Sequence, residues 1–300
     1  MPPRFTPGDA VTVPANLPAI HWVPGRSFGS SVGDAQSLEL TTTGDPTTPL
    51  AFTATAQPDG SYLVVPTQAL VAGTSYTITD SSECGGTTTP TAVTFTAGPA
   101  VPLPTQLGAL TAQSFDVSTL SALTVSGSCT STVWADQATF DFAVATDAQP
   151  WIHALLIETV ADGVVWSGKR GIYNASYTGV NHDRIYHVCA TDDPGGVARG
   201  LASGAHAVVL RATLPGTATT LESTEATTTL ECDTAPPPAV CTDYPGLCED
   251  DAVVDPDLPD DKGAGCCSSS KHSPDAAWLL VALAALANRL RGTRRGTRRS

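Results

Sequence analysis

Short runs of β-branched and aromatic residues fill residues 10 to 97, and turn residues separate them. The runs are LELTT, LAFTATA, SYLVVP, SYTITD and AVTFTA, and the turns are TGDPTTP, QPDG and ECGG. β-Branched and aromatic side chains favour extended backbone, whereas Gly, Pro, Asp and Asn favour turns. Strands that recur about every 8 to 15 residues are typical of an antiparallel sandwich. We therefore predict an all-β sandwich for residues 10–97, preceded by an N-terminal extension, residues 1–9.

A second segment, residues 108–232, shows the same alternation. Its predicted strands are SALTVSGSC, ATFDFAVAT, WIHALLIETV, GVVWSG, RIYHVCAT, AHAVVLRATL and ATTTLEC. Asp162 and Gly163 can adopt the positive φ of a tight turn, which predicts a hairpin from WIHALLIETV to VVWSG. The segment between the two units, residues 98–107, is rich in Pro, which fixes φ and removes amide donors. The sequence thus predicts two β-sandwiches in tandem, separated by a stiff Pro-rich joint.

The charge distribution separates the C-terminal region from the rest of the chain. The formal net charge is −14, and residues 233–261 contain nine acidic residues and no basic one. We predict that residues 233–275 form a disordered linker, because they carry like charges and many prolines but no sustained apolar pattern. Residues 276–290 are predicted to form a short hydrophobic helix, followed by an Arg-rich tail, residues 291–300. An acidic body argues against nucleic-acid binding, which needs a basic face.

The cysteines indicate disulfides. No CxxC pair is present, so zinc binding is not expected. Four cysteines of the two β-rich units can pair in three ways: Cys84, Cys129, Cys189 and Cys232. Cys241 and Cys248 flank a turn-like loop that a local disulfide could close. Disulfides need an oxidising compartment. The sequence from Met1 lacks a basic and apolar signal segment, so we expect either a signal peptide upstream of Met1 or, as the alternative, a cytosolic protein.

No motif predicts a catalytic residue, a cofactor site or a metal site, so we predict that the protein is not an enzyme. The aspartates of residues 250–261 are interrupted by prolines, unlike a calcium loop. His182 and His187 are five residues apart, which places them on opposite faces of a strand. The alternative is an exported carbohydrate-binding module or hydrolase that uses the loop 169–184. Four aromatic residues near it could bind a glycan, although we expect core packing: Trp134, Trp151, Trp166 and Tyr173.

Two stretches resemble known sandwich families. LVAGTSYTIT, with Leu70, Gly73 and Tyr76, resembles the corner of fibronectin type III and other immunoglobulin-like (Ig-like) domains, which implies that the Tyr76 hydroxyl bonds to the backbone. VPANLPAIHW resembles the first strand of bacterial Ig-like domains of envelope proteins. LASGAHAVVLRA repeats the first pattern, although Ala207 takes the place of the tyrosine. These likenesses predict that both sandwiches are Ig-like.

Residues 263–300 resemble the MYXO-CTERM sorting domain of myxobacterial surface proteins, through GAGCC, AAWLLVALAALA and RLRGTRRGTRR. The resemblance implies cleavage and anchoring at Cys266 or Cys267 by a membrane protease. A plain C-terminal anchor is the alternative. The arginines would keep the C-terminus cytoplasmic before processing. We therefore expect a surface-anchored, non-enzymatic envelope protein whose partners are the membrane, the sorting protease, and other surface proteins or glycans.

Overall fold

A computed structural model describes most of residues 3–248. The described residues are 3–25, 35–81, 83–84, 87–88, 90–123, 130–171, 180–191, 200–233, 235–236, 238–244 and 247–248. They are mostly β-structure in antiparallel sheets, as the sequence predicts. The strands before the joint are β1 (Arg4–Thr6), β2 (Val11–Pro14), β3 (Ile20–Val23), β4 (Leu38–Thr42), β5 (Phe52–Ala56), β6 (Tyr62–Pro66), β7 (Ser75–Asp80), β8 (Glu83–Cys84), β9 (Thr87–Thr88) and β10 (Thr91–Gly98).

After the joint come eight further strands. They are β11 (Gly108–Leu123), β12 (Thr130–Val144), β13 (Leu156–Ala161), β14 (Val164–Arg170), β15 (Val180–Thr191), β16 (Gly204–Thr213), β17 (Thr220–Glu222) and β18 (Ala226–Leu230). Three short helices complete the described structure: the 3₁₀ helices η1 (Ala35–Ser37) and η2 (Gln149–Ala154), and α1 (Pro238–Asp243). We call residues 3–98 the N-terminal half and residues 108–230 the C-terminal half.

The strand order of the N-terminal half is that of an Ig-like sandwich. One sheet has the order β1-β3-β6-β5 and the other β2-β10-β7-β4. These orders correspond to the ABED and GFC sheets of the immunoglobulin fold, with β2 added beside the last strand. The β2–β10 pairing is parallel, whereas the other pairings in these two sheets are antiparallel.

The alternation of SYTITD explains how β7 lies in this sandwich. Tyr76, Ile78 and Asp80 are buried, and the residues between them are half-buried. Successive side chains of a strand point to opposite faces, so every second residue enters the core. There the Tyr76 ring stacks on Phe95 with 5.8 Å between the ring centroids. The buried Asp80 carboxylate accepts hydrogen bonds from the Trp22 indole and the Ser37 hydroxyl.

The C-terminal half also divides into two sheets. One has the order β11-β12-β15, and the other has the order β14-β13-β16-β17, with β18 also paired to β16. These correspond to the ABE and C′CFG sheets of a fibronectin-type sandwich. The predicted hairpin is present, because β13 pairs with β14 and both Asp162 and Gly163 have positive φ, 50° and 77°.

Two local predictions are wrong. Residues Arg4–Thr6 form β1 rather than part of an extension, because Phe5 is buried in the core and β1 pairs with β3. The residues Trp151–Ala154 form part of η2 rather than the start of a strand. Pro150 lies in the first turn of η2, where a missing amide hydrogen costs nothing. The Trp151 side chain is fully buried there.

Residues Met1–Asp250 form one compact unit. A single buried cluster contains core residues of both halves, including Val13 and Phe95 on one side and Trp151 and Leu210 on the other. Apolar side chains from both sides of the joint are therefore removed from water together. The division of Met1–Asp250 into two tandem domains stays a prediction.

The start of the predicted linker is folded, contrary to the sequence prediction. Residues Pro238–Asp243 form α1, and Leu247 is buried. A disulfide between Cys241 and Cys248 closes this segment, which lowers the entropy that its ordering costs. Linker residues 249–275, which include Cys266 and Cys267, and the predicted hydrophobic helix 276–290 lie outside the described residues. Within the described ranges, no helix is long and apolar enough to cross a membrane.

Candidate functional site

The joint, residues 98–107, is bonded to the N-terminal half through Asn16. The Asn16 side-chain amide donates to the Val101 carbonyl oxygen at 2.8 Å, and the Val101 N–H donates to Asn16 Oδ1 at 3.1 Å. One side chain thus satisfies both backbone polar groups of Val101, much as a neighbouring strand would. This pair fixes the position of the joint against the loop that follows β2.

The C-terminal half holds the next residues of the joint. The buried Trp151 indole donates to the Pro102 carbonyl oxygen at 2.8 Å. Asp147 Oδ2 accepts from both the N–H and the hydroxyl of Thr105, each at 2.8 Å. The backbone and side-chain hydrogen bonds from Thr105 lower the pKa of Asp147. Because Val101 and Pro102 are adjacent, consecutive residues of the joint bond to opposite halves of the molecule.

Two glycines mark close approaches around the joint. Gly108 has φ 139°, and a Cβ there would lie 2.2 Å from the Ala143 carbonyl oxygen. Gly216, in the β16–β17 loop, has φ 80°, and a Cβ there would lie 2.8 Å from the Ala19 Cβ. Both positions therefore require glycine. At the second position, the C-terminal half packs directly on the backbone of the N-terminal half.

The aromatic residues of the candidate glycan site are largely in the core. Trp134 and Trp151 are buried. Trp166 is half-buried, packs edge-on against Tyr186 at 5.2 Å and donates to the Arg184 carbonyl oxygen at 2.7 Å. The predicted loop 169–184 is shorter in the structure, because Lys169 and Arg170 belong to β14 and residues 180–184 to β15, while Tyr173 and the rest of residues 172–179 lie outside the described residues. Trp134 and Trp151 do not offer the exposed ring faces that stack on a sugar.

Two disulfides lie at the end of the C-terminal half. Cys189 on β15 is bonded to Cys232 after β18, and Cys241 is bonded to Cys248. Both line a cavity of about 620 Å³, together with Trp134, Ala190, Asp233, Ala235, Pro236 and Leu247. The side chain of Cys84 and the whole of Cys129 are outside the description. Cys189–Cys232 attaches the segment after β18 to β15, and Cys241–Cys248 closes the α1 segment on itself.

A histidine–carboxylate pair occupies the start of β16. His206 is buried, its Nδ1 lies 2.7 Å from Asp162 Oδ2, and its Nε2 lies 2.8 Å from the Ala202 carbonyl oxygen. Both neighbours are acceptors, so the doubly protonated ring satisfies both. Burial lowers the pKa of His206, but the hydrogen bonds to Asp162 and Ala202 and the Asp162 charge outweigh it, so the pKa is raised. The hydrogen bond from His206 lowers the pKa of Asp162.

The other histidines do not form a metal site in the described part of the chain. His187 Nδ1 lies 2.8 Å from the Leu201 carbonyl oxygen, while the side chain of His182 is not described. Among the described residues, no group of three or more His, Cys, Asp or Glu side chains is placed to hold a metal ion. The predicted lack of catalytic, cofactor and metal sites stays a prediction.

No protein-family model matches this sequence, and no curated protein does. Comparison with solved structures returns the N-terminal part of the bacterial S-layer protein SbsC, with 13% identity over 77% of this chain and 45% of that chain, at a TM-score of 0.24. A biofilm-associated protein (BSP domain) has 12% identity over 78% and 30%, at 0.24. The tandem Ig repeats of Dlar have 12% identity over 75% and 96%, at 0.22. This chain spans less than half of the length of the first two of these structures. Because the TM-scores are low, the Ig-like architecture is assigned from the strand orders of this chain and not from these similarities.

Proposed function

We propose that this chain is a non-enzymatic protein of the bacterial cell envelope, with a structural, adhesive or protein-binding role. In this proposal, two tandem Ig-like sandwiches are held away from the surface by the acidic linker. The C-terminal segment acts as a sorting signal that is cleaved and anchored at Cys266 or Cys267. The body would lie on the outer surface or on the periplasmic side of a bacterial membrane, with the C-terminus cytoplasmic before processing.

The hydrogen bonds of the joint are the observation that supports a structural role. Asn16 holds Val101, and Trp151 holds Pro102, so the two halves are connected by hydrogen bonds as well as by the chain. The Trp151 indole is fully buried, so removing its acceptor would cost more than the net value of that bond, whereas the Asn16 pair is open to solvent. A fixed connection suits a protein that presents a surface at a set distance and orientation.

The disulfides support export. A bond such as Cys189–Cys232 persists in an oxidising compartment and is rare in the cytosol. The burial of Trp134 and Trp151 weakens the glycan-binding alternative, because stacking on a sugar needs an exposed ring. The loop 169–184 remains the place where that alternative would act.

The location and the processing are tested on the full chain expressed in a myxobacterial host. Envelope and soluble fractions are labelled with a thiol reagent before and after reduction, and the mature C-terminus is determined by mass spectrometry. We expect the protein in the envelope, Cys189 and Cys232 labelled only after reduction, and a C-terminus at or near Cys266 or Cys267. A Cys266→Ser/Cys267→Ser variant should remain uncleaved, keep residues 276–300 and lose the anchoring through a cysteine.

Two results contradict different parts of this proposal. Free Cys189 and Cys232 in the soluble cytosolic fraction would contradict export. An envelope protein that still ends at Ser300 would contradict processing and favour a plain C-terminal anchor.

A further inference from the structure

Strand β5, Phe52–Ala56, is the last strand of the sheet β1-β3-β6-β5. One side of its backbone pairs with β6, and the other side has no neighbouring strand in the described part of the chain. Thr53, Thr55 and Ala56 are exposed, whereas Phe52 and Ala54 pack against the core cluster. Within the described residues the outer backbone groups of this strand have no strand partner, although the Ala56 carbonyl oxygen accepts the Gln57 side-chain amide at 3.3 Å.

The hydrogen-bond pattern shows which residues point outward. The Thr67 N–H donates to the Ala51 carbonyl oxygen, and the Gln57 N–H donates to the Ser61 carbonyl oxygen. In an antiparallel pair, hydrogen-bonded positions alternate with non-hydrogen-bonded ones. Residues 51, 53, 55 and 57 thus bond to β6, and the amide and carbonyl groups of Phe52, Ala54 and Ala56 point away from the sheet.

This edge lacks the features that usually prevent strand addition. Residues 46–58 contain no charged side chain, and β5 itself contains no proline. Natural edges are commonly protected by charges, prolines, bulges or a covering segment. The edge strand β4 is partly paired, since the Leu50 N–H bonds the Leu40 carbonyl oxygen and Thr42 forms a bridge with Asp45. The edge strand β14 is irregular, with register shifts beside Thr159.

We propose that β5 is a self-association site, where it pairs antiparallel with β5 of a second copy of this chain. The outward groups allow pairing about an axis at Thr53, Ala54 or Thr55, and overlap of all five residues selects Ala54, which then faces its own equivalent while Phe52 faces Ala56. Thr53 faces Thr55 of the other copy, twice, at non-hydrogen-bonded positions where side chains are closest. Cross-strand Thr pairs are favourable. Residues 53–55, Thr-Ala-Thr, read the same in both directions, so each threonine of one copy faces a threonine of the other. The two contacts are identical, as in an isologous dimer.

Charge sets the strength of this association. Five residues on each side bury little surface, and a net charge of −14 on each copy opposes the approach of two copies. We therefore expect weak association in dilute solution that strengthens as salt screens the repulsion. Anchoring on a common surface would raise the effective concentration of the edge. The inference goes beyond the proposed function and does not depend on it, because purified protein in solution tests it.

The test uses sedimentation velocity of the full chain in non-ionic detergent over a range of protein and salt concentrations. The Thr53→Lys/Thr55→Lys variant places Lys opposite Lys at both contacts. The matched variant, Thr53→Lys/Thr55→Glu, places Lys opposite Glu at both. We expect association at least about tenfold weaker than wild type for the first variant, and no weaker than wild type for the second.

The design separates this edge from other causes of association. Both variants keep the apolar C-terminal segment, and the two added lysines of the first reduce the net charge from −14 to −12. A general charge effect would therefore strengthen association of that variant, whereas the edge register predicts weakening. Circular dichroism melting checks that both variants are folded. A wild-type chain that stays monomeric at every concentration, or two folded variants that associate equally, would overturn the inference.

Discussion

At the scale of single residues, β7 and β16 share a feature near their starts. In each strand, one side chain forms a hydrogen bond to the backbone of the turn that precedes the strand. The Tyr76 hydroxyl accepts the Val71 N–H at 2.8 Å, which confirms the predicted tyrosine corner. In the C-terminal half, where LASGAH matches LVAGTS, His206 Nε2 lies 2.8 Å from the Ala202 carbonyl oxygen. Val71 and Ala202 occupy equivalent positions, directly after the leucine. Ala207 stands at the position of Tyr76, and His206, one residue earlier, makes the backbone contact in its place.

Removing the Tyr76 hydroxyl should destabilise the N-terminal half. In Tyr76→Phe, the Val71 N–H loses its acceptor, and we expect the free energy of unfolding to fall by about 1–2 kcal/mol. Chemical denaturation followed by fluorescence measures the change. Tyr62→Phe is the control, because within the described structure Tyr62 has ring packing on Trp22 but no hydroxyl hydrogen bond. Equal losses in both variants would show that the corner bond has no special role.

The His206–Asp162 pair should make stability depend on pH. The raised pKa of His206 means that its contribution is present below 6.5 and is lost as pH rises through the pKa in the folded state. The lowered pKa of Asp162 means that its contribution is present above 3.8 and is lost as pH falls through the folded-state pKa. The pair therefore stabilises most between these two values.

Asp162→Asn tests this dependence, since asparagine tolerates the positive φ of the turn. We expect wild type to exceed the variant by about 1 kcal/mol between pH 3.8 and 6.5, and by less as pH rises further. Denaturant titrations across this range measure the difference. Asp147→Asn is the control, because the partner of Asp147 is Thr105, which does not titrate near neutral pH. A wild-type advantage that is constant up to alkaline pH would contradict the prediction.

At the scale of elements, the disulfides act on segments of different size. Cys189–Cys232 closes 43 residues and connects the end of β15 to the segment after β18. Cys241–Cys248 closes only 7 residues around α1. A longer closed loop removes more entropy from the unfolded chain. The two bonds should therefore differ both in strength and in what they stabilise.

Replacing each pair by serine tests this difference. We expect Cys189→Ser/Cys232→Ser to lower the free energy of unfolding by about 4 kcal/mol, and Cys241→Ser/Cys248→Ser to cost about 2 kcal/mol, confined to the α1 segment. Global unfolding is followed by circular dichroism, and local opening by hydrogen exchange of α1. The prediction is wrong if the second pair lowers the global midpoint as much as the first.

At the scale of the whole molecule, the joint and the shared core couple the two halves. Apolar residues of both halves belong to one buried cluster, and the joint bonds to each half through a different side chain. Such coupling predicts that residues 3–248 unfold in one cooperative transition, although the chain contains two sandwich-type sheet arrangements.

Loosening the joint should separate the halves. Asn16→Ala combined with Trp151→Phe removes the side-chain bonds to Val101 and Pro102, each worth about 1 kcal/mol. We expect the single calorimetric transition to broaden or split, and the joint to be cleaved faster by protease. Trp166→Phe is the matched control, because it removes an indole hydrogen bond within the C-terminal half. Its transition should shift without splitting, whereas the same splitting in both variants would contradict the role of the joint.

The sequence alone determined the all-β class, many of the strands, the Asp162-Gly163 hairpin and the Tyr76 corner, because each depends on residues that lie close together in the chain. It missed β1 and residues 108–120 of β11. Alternation decides which side chains of a strand face the core, and Gly or Asp decides where φ can be positive. The prolines around Pro102 lie in the strand-free segment between β10 and β11, since proline restricts the backbone locally.

Only the tertiary structure decided what holds those units together. Asn16 and Val101 are 85 residues apart, and Trp151 and Pro102 are 49 apart, so no local pattern reveals either bond. The pairing of Cys189 with Cys232 depends likewise on where β15 and β18 end. The 3₁₀ helix η2 forms where a strand was predicted, and there Trp151 is buried and bonded to the joint. Contacts between distant segments follow from packing in three dimensions, and local propensity yields to them where burial is large.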